Sequence, residues 1–281
     1  MNKEYLDNFI AIALKEDIGD GDHTSLACIP PEQVGNAQII IKEKGVLAGI
    51  TLTREILKRI DPGLHTIQCL DDGSVVKKGN RAIELTGSVL SILKSERLIL
   101  NILQRMSGIA TKTRTYVDRL KDLNTKILDT RKNTPGFRLF EKAAVVIGGG
   151  ENHRTGLYDM ILLKDNHIEF SGGIKKAIED THRYLNRIHK DLIIEIEAHS
   201  LESVREILAI GGIHRIMLDN FSIEETKEAV NLINGTFETE SSGGITLTNI
   251  RKYAECGVDY VSVGDLTTHI KTIDMSLKAI Y

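Results

Sequence analysis

Six short apolar runs, each followed by a stretch of helical periodicity, most constrain what this chain can fold into. They are Lys126–Thr130, Asp159–Leu163, Leu192–Ile196, Arg215–Leu218, Thr236–Glu240 and Asp259–Val263. The last four recur about every 22 residues, the period of a strand plus its crossover helix, which predicts parallel strands and an α/β fold of the (β/α) barrel type. Leu139, Phe140, Ala143, Ala144 and Ile147 are spaced as a helix that Gly148-Gly149-Gly150 would stop. Ser222 with Glu225 forms a capping box for a later helix.

Upstream the texture differs. A helix is expected around Tyr5–Lys15, then short β-type runs at Ala37–Ile41, His65–Cys69 and Ala82–Leu85, separated by glycine turns. From Ile92 to Ala110 the apolar positions broaden into a buried helix. The expected division is a smaller α+β domain over 1–111 and a barrel-like domain over 112–269. A terminal helix over about 270–281 is expected to pack back on the first.

Composition removes several function classes. A net charge of −3 gives no global field for nucleic acid or an anionic membrane, so local basic clusters need a local explanation. Cys28, Cys69 and Cys256 lie far apart with no Cys-x-x-Cys pair, which disfavours zinc or a disulfide framework and suits a reducing compartment. No apolar stretch approaches the roughly 18 residues needed to span a bilayer, and Met1–Tyr5 lacks the apolar core of a secretion signal. The expected location is the cytoplasm.

The chemistry concentrates just past the strands. Asp129-Thr130-Arg131-Lys132, Lys164-Asp165-Asn166-His167, Glu197, Asp219-Asn220, Ser242-Gly243-Gly244 and Ser262-Val263-Gly264 all lie at predicted C-terminal strand ends. In a (β/α) barrel those ends meet at one mouth, where active sites are built. Loop polarity alone would explain one or two such clusters but not six in succession. Arg105, Arg131, Lys132, Arg138, His153, Arg154 and Lys164 form the basic group, and a solvated charged face is the ordinary explanation for such residues. Arg105 lies among apolar helix neighbours, however, and Lys164 closes the run Met160–Leu163. Partly desolvated cations demand anions, and several in one pocket imply a polyanionic substrate. Arginine's fork suits carboxylates, and lysine serves phosphate as a point charge.

Glu195 and Glu197 alternate on one strand and so share a face. Glu197, farther along, is the candidate for ribose hydroxyls or Mg²⁺, with Glu195 a core partner for a buried cation. The two glycine segments suit phosphate held by backbone N–H groups. Two lures are set aside. The acidic run Glu16–Thr24 lacks the glycine and glutamate of a calcium loop, and Gly148-Gly149-Gly150 follows a helix rather than a strand, unlike a dinucleotide fingerprint.

Asp129–Ala143, Gly148–Leu157 and Leu163–Ile168 resemble the signature of the quinolinate phosphoribosyltransferase family. So do Glu16–Gly19 with Gly21–Thr24, Asn101–Thr111, Glu195–Glu197, Met217–Asn220, Ser242–Ile245 and Val261–Thr267, in collinear order over nearly the whole chain. Departures are small: Asn133 stands where the family has threonine, and Asp265 and Thr268 vary the final loop.

The resemblance implies an incomplete (β/α) barrel preceded by a smaller α+β open-sheet domain. It implies that quinolinate and phosphoribosyl pyrophosphate give nicotinate mononucleotide, pyrophosphate and CO₂ with Mg²⁺. It also implies a homodimer with a shared active site, in which Arg105 reaches the neighbouring subunit's site. By the same carry-over Arg105, Arg131, His153 and Arg154 would hold quinolinate, and Lys132 and Lys164 the pyrophosphate. Glu197 and Asp219 would serve ribose and metal, and Ser242, Gly243, Gly244, Ser262, Val263 and Gly264 the 5′-phosphate. Other readings are a transferase of this fold acting on another base, a relative associated with molybdenum transport, and a non-catalytic sugar-phosphate-binding barrel.

Overall fold

The computed structural model describes residues 3–280. The chain opens with helices α1 (Lys3–Ile18) and α2 (His23–Cys28), strands β1 (Val34–Ile41) and β2 (Gly45–Val46), and α3 (Ile50–Ile60). Strands β3 (His65–Cys69), β4 (Val75–Val76) and β5 (Arg81–Ser88) lead into the long helix α4 (Val89–Val117). Next come β6 (Lys126–Leu128), α5 (Arg138–Gly148), β7 (Ile161–Leu163), α6 (Asp165–Ser171) and α7 (Ile174–Ile188). They are followed by β8 (Ile194–Ala198), α8 (Leu201–Ile210), β9 (Arg215–Asp219) and α9 (Ile223–Ile233). The chain ends with β10 (Glu238–Ser242), α10 (Ile250–Ala254), β11 (Tyr260–Ser262), α11 (Asp265–Thr268) and β12 (Met275–Ile280).

Two units result. The first comprises the described residues of Met1–Arg114, Thr134–Gly149 and His269–Tyr281, the second Thr115–Asn133 and Gly150–Thr268. This differs from a single cut near residue 111, because α5 belongs with the first unit. The cause is an aromatic cluster: Phe140 meets Phe9 edge-on at 4.7 Å between ring centroids and Tyr5 at 6.0 Å. Gly149, with φ +98°, then ends α5 in the left-handed turn expected of a glycine stop.

The first unit is built on an antiparallel sheet ordered β12-β1-β5-β3. Ile39, Ile41, Ala82, Ile83 and Leu85 are fully buried in it. The expected terminal helix is instead strand β12, paired with β1 from Asn36–Ile280 to Ile41–Met275. Met275, Leu277 and Ala279 alternate with Ser276 and Lys278, a period-2 pattern that fits a sheet edge and not a helix face. Tyr281 lies outside the described residues.

The second unit is a parallel sheet ordered β6-β11-β10-β9-β8-β7, extended beyond β6 by a parallel bridge between Leu128 and Glu151. No ladder joins that segment to β7 among the described residues, so the barrel is incomplete. All six predicted strands are present. Register sorts the polar residues of one face by depth. Glu195, Arg215 and Glu238 align at one level, Glu197, Met217 and Glu240 at the next, and Asp219 and Ser242 at the strand ends. The buried levels are closed by Ile196, Ile216 and Leu218, which point the other way.

Candidate active site

A cavity of about 690 Å³ opens at those strand ends, wholly within the second unit. Arg131, Lys132, His153, Arg154, Lys164, Glu197, Asp219, Ser242, Gly243, Gly244 and Ser262 all line it. Eleven residues singled out from sequence therefore share one cavity. Three others that the resemblance gives a ligand role do not line it. Val263 is buried, and its amide donates to Leu128 O at 2.9 Å, which leaves it unable to serve a phosphate. Gly264 acts on the cavity indirectly: a Cβ there would stand 3.3 Å from Lys132 Cδ, so its bareness leaves room for the lysine stem. Arg105 belongs to the first unit, where Nε and Nη2 donate to buried Glu141 at 2.9 and 2.5 Å.

Each cation is held by local architecture. Lys132 is fixed through its main chain, with Thr130 Oγ1 accepting from its amide at 3.1 Å and Thr267 Oγ1 donating to its carbonyl at 2.8 Å. Arg154 sits on a loop pinned by Asp159, whose carboxylate accepts from the Thr155 and Gly156 amides at 2.7 and 2.9 Å. Burial and the neighbouring Arg131 charge lower the Arg154 pKa. Lys164 donates to Glu197, and Glu197 is itself almost fully buried. A half-buried guanidinium with a second, exposed guanidinium contributing to the same cavity favours an anion there.

Beneath this wall lies a buried polar network. His153 Nε2 is 2.9 Å from Glu195 and 3.6 Å from Glu240, while Nδ1 accepts from the Arg154 amide at 2.7 Å. The amide of His153 donates to Asp129 at 2.9 Å. His153 thus lines the cavity while orienting the backbone that carries Arg154. Burial pushes the Glu195 carboxyl up to about 7 and, together with the Glu195 charge, the Glu240 carboxyl up to about 8. Arg215 reaches Glu240 at 3.2 Å and Glu238 at 2.9 Å, and stacks 3.9 Å from the Tyr260 ring centre. The ligand-type atoms of His153, Glu195 and Glu240 fall within 4.8 Å of one another, a spacing a metal could use. Arg215 already supplies the cation at Glu240, so a shared proton and a guanidinium account for this cluster.

Glycine and carboxylate residues line the rest of the cavity. Gly243 and Gly244 have φ of +88° and +60°, and neither amide donates to another described residue. Two unspent amides on a cavity wall suit an anion. Asp219 accepts from Asn220 Nδ2 at 2.8 Å and lies 3.6 Å from His199 Nδ1. Sequence reasoning passed over His199, Glu240 and Met217 as lining residues. His199 stands immediately after β8, so the strand-end rule applied one residue further would have found it.

An incomplete parallel barrel with a cationic mouth, two carboxylates and a glycine loop defines a class: (β/α) proteins built around a polyanion site. The family model for the quinolinate phosphoribosyl transferase C-terminal domain matches residues 109–278, and that for the N-terminal domain residues 22–107. A quinolinate phosphoribosyltransferase (decarboxylating) of Nicotiana tabacum is 42% identical over 288 residues, spanning 97% of this chain and 82% of the relative. A probable nicotinate-nucleotide pyrophosphorylase (carboxylating) of Bacillus subtilis is 40% identical over 99% of this chain and 94% of its own. The crystal structure of NadC from Streptococcus pyogenes superposes with a TM-score of 0.92 at 38% identity, covering 100% of this chain and 99% of that one. The chain belongs to the quinolinate phosphoribosyltransferase family.

Proposed function

We propose that this chain transfers the phosphoribosyl group of phosphoribosyl pyrophosphate to quinolinate, giving nicotinate mononucleotide, pyrophosphate and CO₂ in the synthesis of NAD. The observation that carries the reading is the gathering of Arg131, Lys132, Arg154 and Lys164 with Glu197 and Asp219 on one cavity. Arg131 and Arg154 hold the two pyridine carboxylates by their planar forks, with His153 setting the Arg154 backbone. Lys132 and Lys164 take the pyrophosphate charge. Ser242, Gly243, Gly244 and Ser262 take the 5′-phosphate.

Attack by the pyridine nitrogen on the anomeric carbon breaks the bond to pyrophosphate, and positive character builds on the ribose. Glu197 and Asp219 stabilise that charge, while holding both reactants in line supplies much of the remaining acceleration. The resulting pyridinium draws the electron pair of the C2–carboxylate bond as CO₂ leaves, and C2 then takes up a proton. No protein nucleophile is needed. Magnesium fits the same wall, because hard oxygen donors are what it requires and Glu197 and Asp219 both present carboxylates to the cavity. When bound it would neutralise the departing pyrophosphate.

The chain works as a homodimer in this reading, with Arg105 offered to the neighbouring subunit's site. The free cysteines suit a reducing compartment, and we place the protein in the cytoplasm. No helix among the described residues is long and apolar enough to cross a membrane. The test is purified protein with both substrates and Mg²⁺, the products identified by mass. Nicotinate mononucleotide and CO₂ in equal amounts are expected. Turnover of nicotinate in place of quinolinate would reassign the base, and binding of phosphoribosyl pyrophosphate without turnover would make this a binding protein.

A further inference from the structure

Among the described residues, three that are not glycine adopt positive φ: His189, Asn220 and Asn234. His189 and Asn234 cap the C-termini of α7 and α9, where a left-handed residue is the ordinary way to end a helix. Asn220 ends no helix. It follows strand β9 with φ +59°, a conformation the surrounding structure must hold in place.

Its contacts show what it does there. The side-chain Nδ2 donates to Asp219 Oδ2 at 2.8 Å. Its main-chain amide donates to Ser242 O at 2.9 Å. Its Oδ1 lies 2.1 Å from where a Cβ on Gly243 would stand, so the amide occupies the space that the glycine leaves. We propose that Asn220 is a positioning residue that registers the Asp219 carboxylate against the Ser242–Gly244 loop, so that one side chain sets the distance between the ribose-facing and phosphate-facing walls. The left-handed backbone turns the side chain back over its own strand end, where it touches both. This rests on reading the cavity as the sugar-phosphate site.

Asn220→Gly keeps the backbone conformation without strain and removes only the amide, so it separates the side chain's role from folding. Calorimetric titration with ribose 5-phosphate is expected to show about tenfold weaker binding, the consequence of losing a hydrogen bond to a charged group. In turnover kcat falls and KM for phosphoribosyl pyrophosphate rises, while KM for quinolinate stays within about twofold of wild type. In an Asp219→Asn background the same change costs little more, because the two act as a unit. Asn220→Asp, which sets a carboxylate against Asp219, is expected to be worse than Asn220→Gly. Wild-type affinity and kcat in a normally melting Asn220→Gly protein would overturn the inference, as would wild-type protein that binds no ribose 5-phosphate. Wild-type protein that binds ribose 5-phosphate but forms no product removes the proposed reaction, and the inference then stands or falls on the titration of the variant.

Discussion

Arg154 is partly desolvated, and Arg131 and Arg154 add two guanidiniums to one cavity, which is the residue-level reason the cavity suits a dianion. A compensating arrangement lies below, where Glu195 and Glu240 are buried close to His153 and Arg215. Glu240 has a folded pKa of about 8, above its ordinary value of 4.5, so its neutral form is the one the fold prefers. The stability it contributes is fully present below the ordinary carboxylate range and is lost as pH rises toward 8. Glu240→Gln cannot ionise, so its melting temperature should decline less than wild type's between about pH 5 and 8. Thermal denaturation across that range checks this, and parallel curves for the two proteins would remove the buried acid. The surface members of the site were legible because strand ends are readable: Arg131, Lys164 and Asp219 each follow an apolar run directly. Glu240 was not, because its burial depends on the two strands that flank β10, β9 and β11, which local sequence does not reveal.

At the scale of elements, periodicity did most of the work where hydrogen bonding is local. The strands of the second unit and helix α5 follow from apolar spacing and glycine stops. The Ser222–Glu225 capping box also holds, with Ser222 Oγ accepting from the Glu225 amide at 3.2 Å and Glu225 accepting from the Ser222 amide at 2.8 Å. Ser222→Ala should cost about 1 kcal/mol of stability. Denaturant unfolding measures it, and no loss would mean that water replaces the cap. Helix α3 escaped notice for a nonlocal reason. Its β-branched residues Ile50, Thr51, Thr53, Ile56 and Ile60 weaken the helix signal, and its cap is remote. Asp72, some twenty residues on, accepts from the amides of Gly49, Ile50 and Thr51 at 2.6, 2.8 and 3.1 Å. Strand β12 escaped because its partner, β1, lies at the other end of the chain.

At the scale of the whole molecule, a chain of 281 residues contributes six strand ends to one cavity and keeps its first sheet as a separate unit. In the proposed reaction Arg131 and Arg154 serve the pyridine carboxylates, and Glu197 and Asp219 serve the sugar. The two pairs should therefore fail separately. Steady-state kinetics of Arg154→Ala and Asp219→Asn, varying each substrate in turn, test this division most directly. Arg154→Ala should raise KM for quinolinate by about tenfold or more and leave that for phosphoribosyl pyrophosphate nearly unchanged. Asp219→Asn should lower kcat and weaken phosphoribosyl pyrophosphate while sparing quinolinate. Unaltered constants in both proteins, or equal losses for both substrates in each, would contradict a cavity that holds two anionic reactants through separate groups.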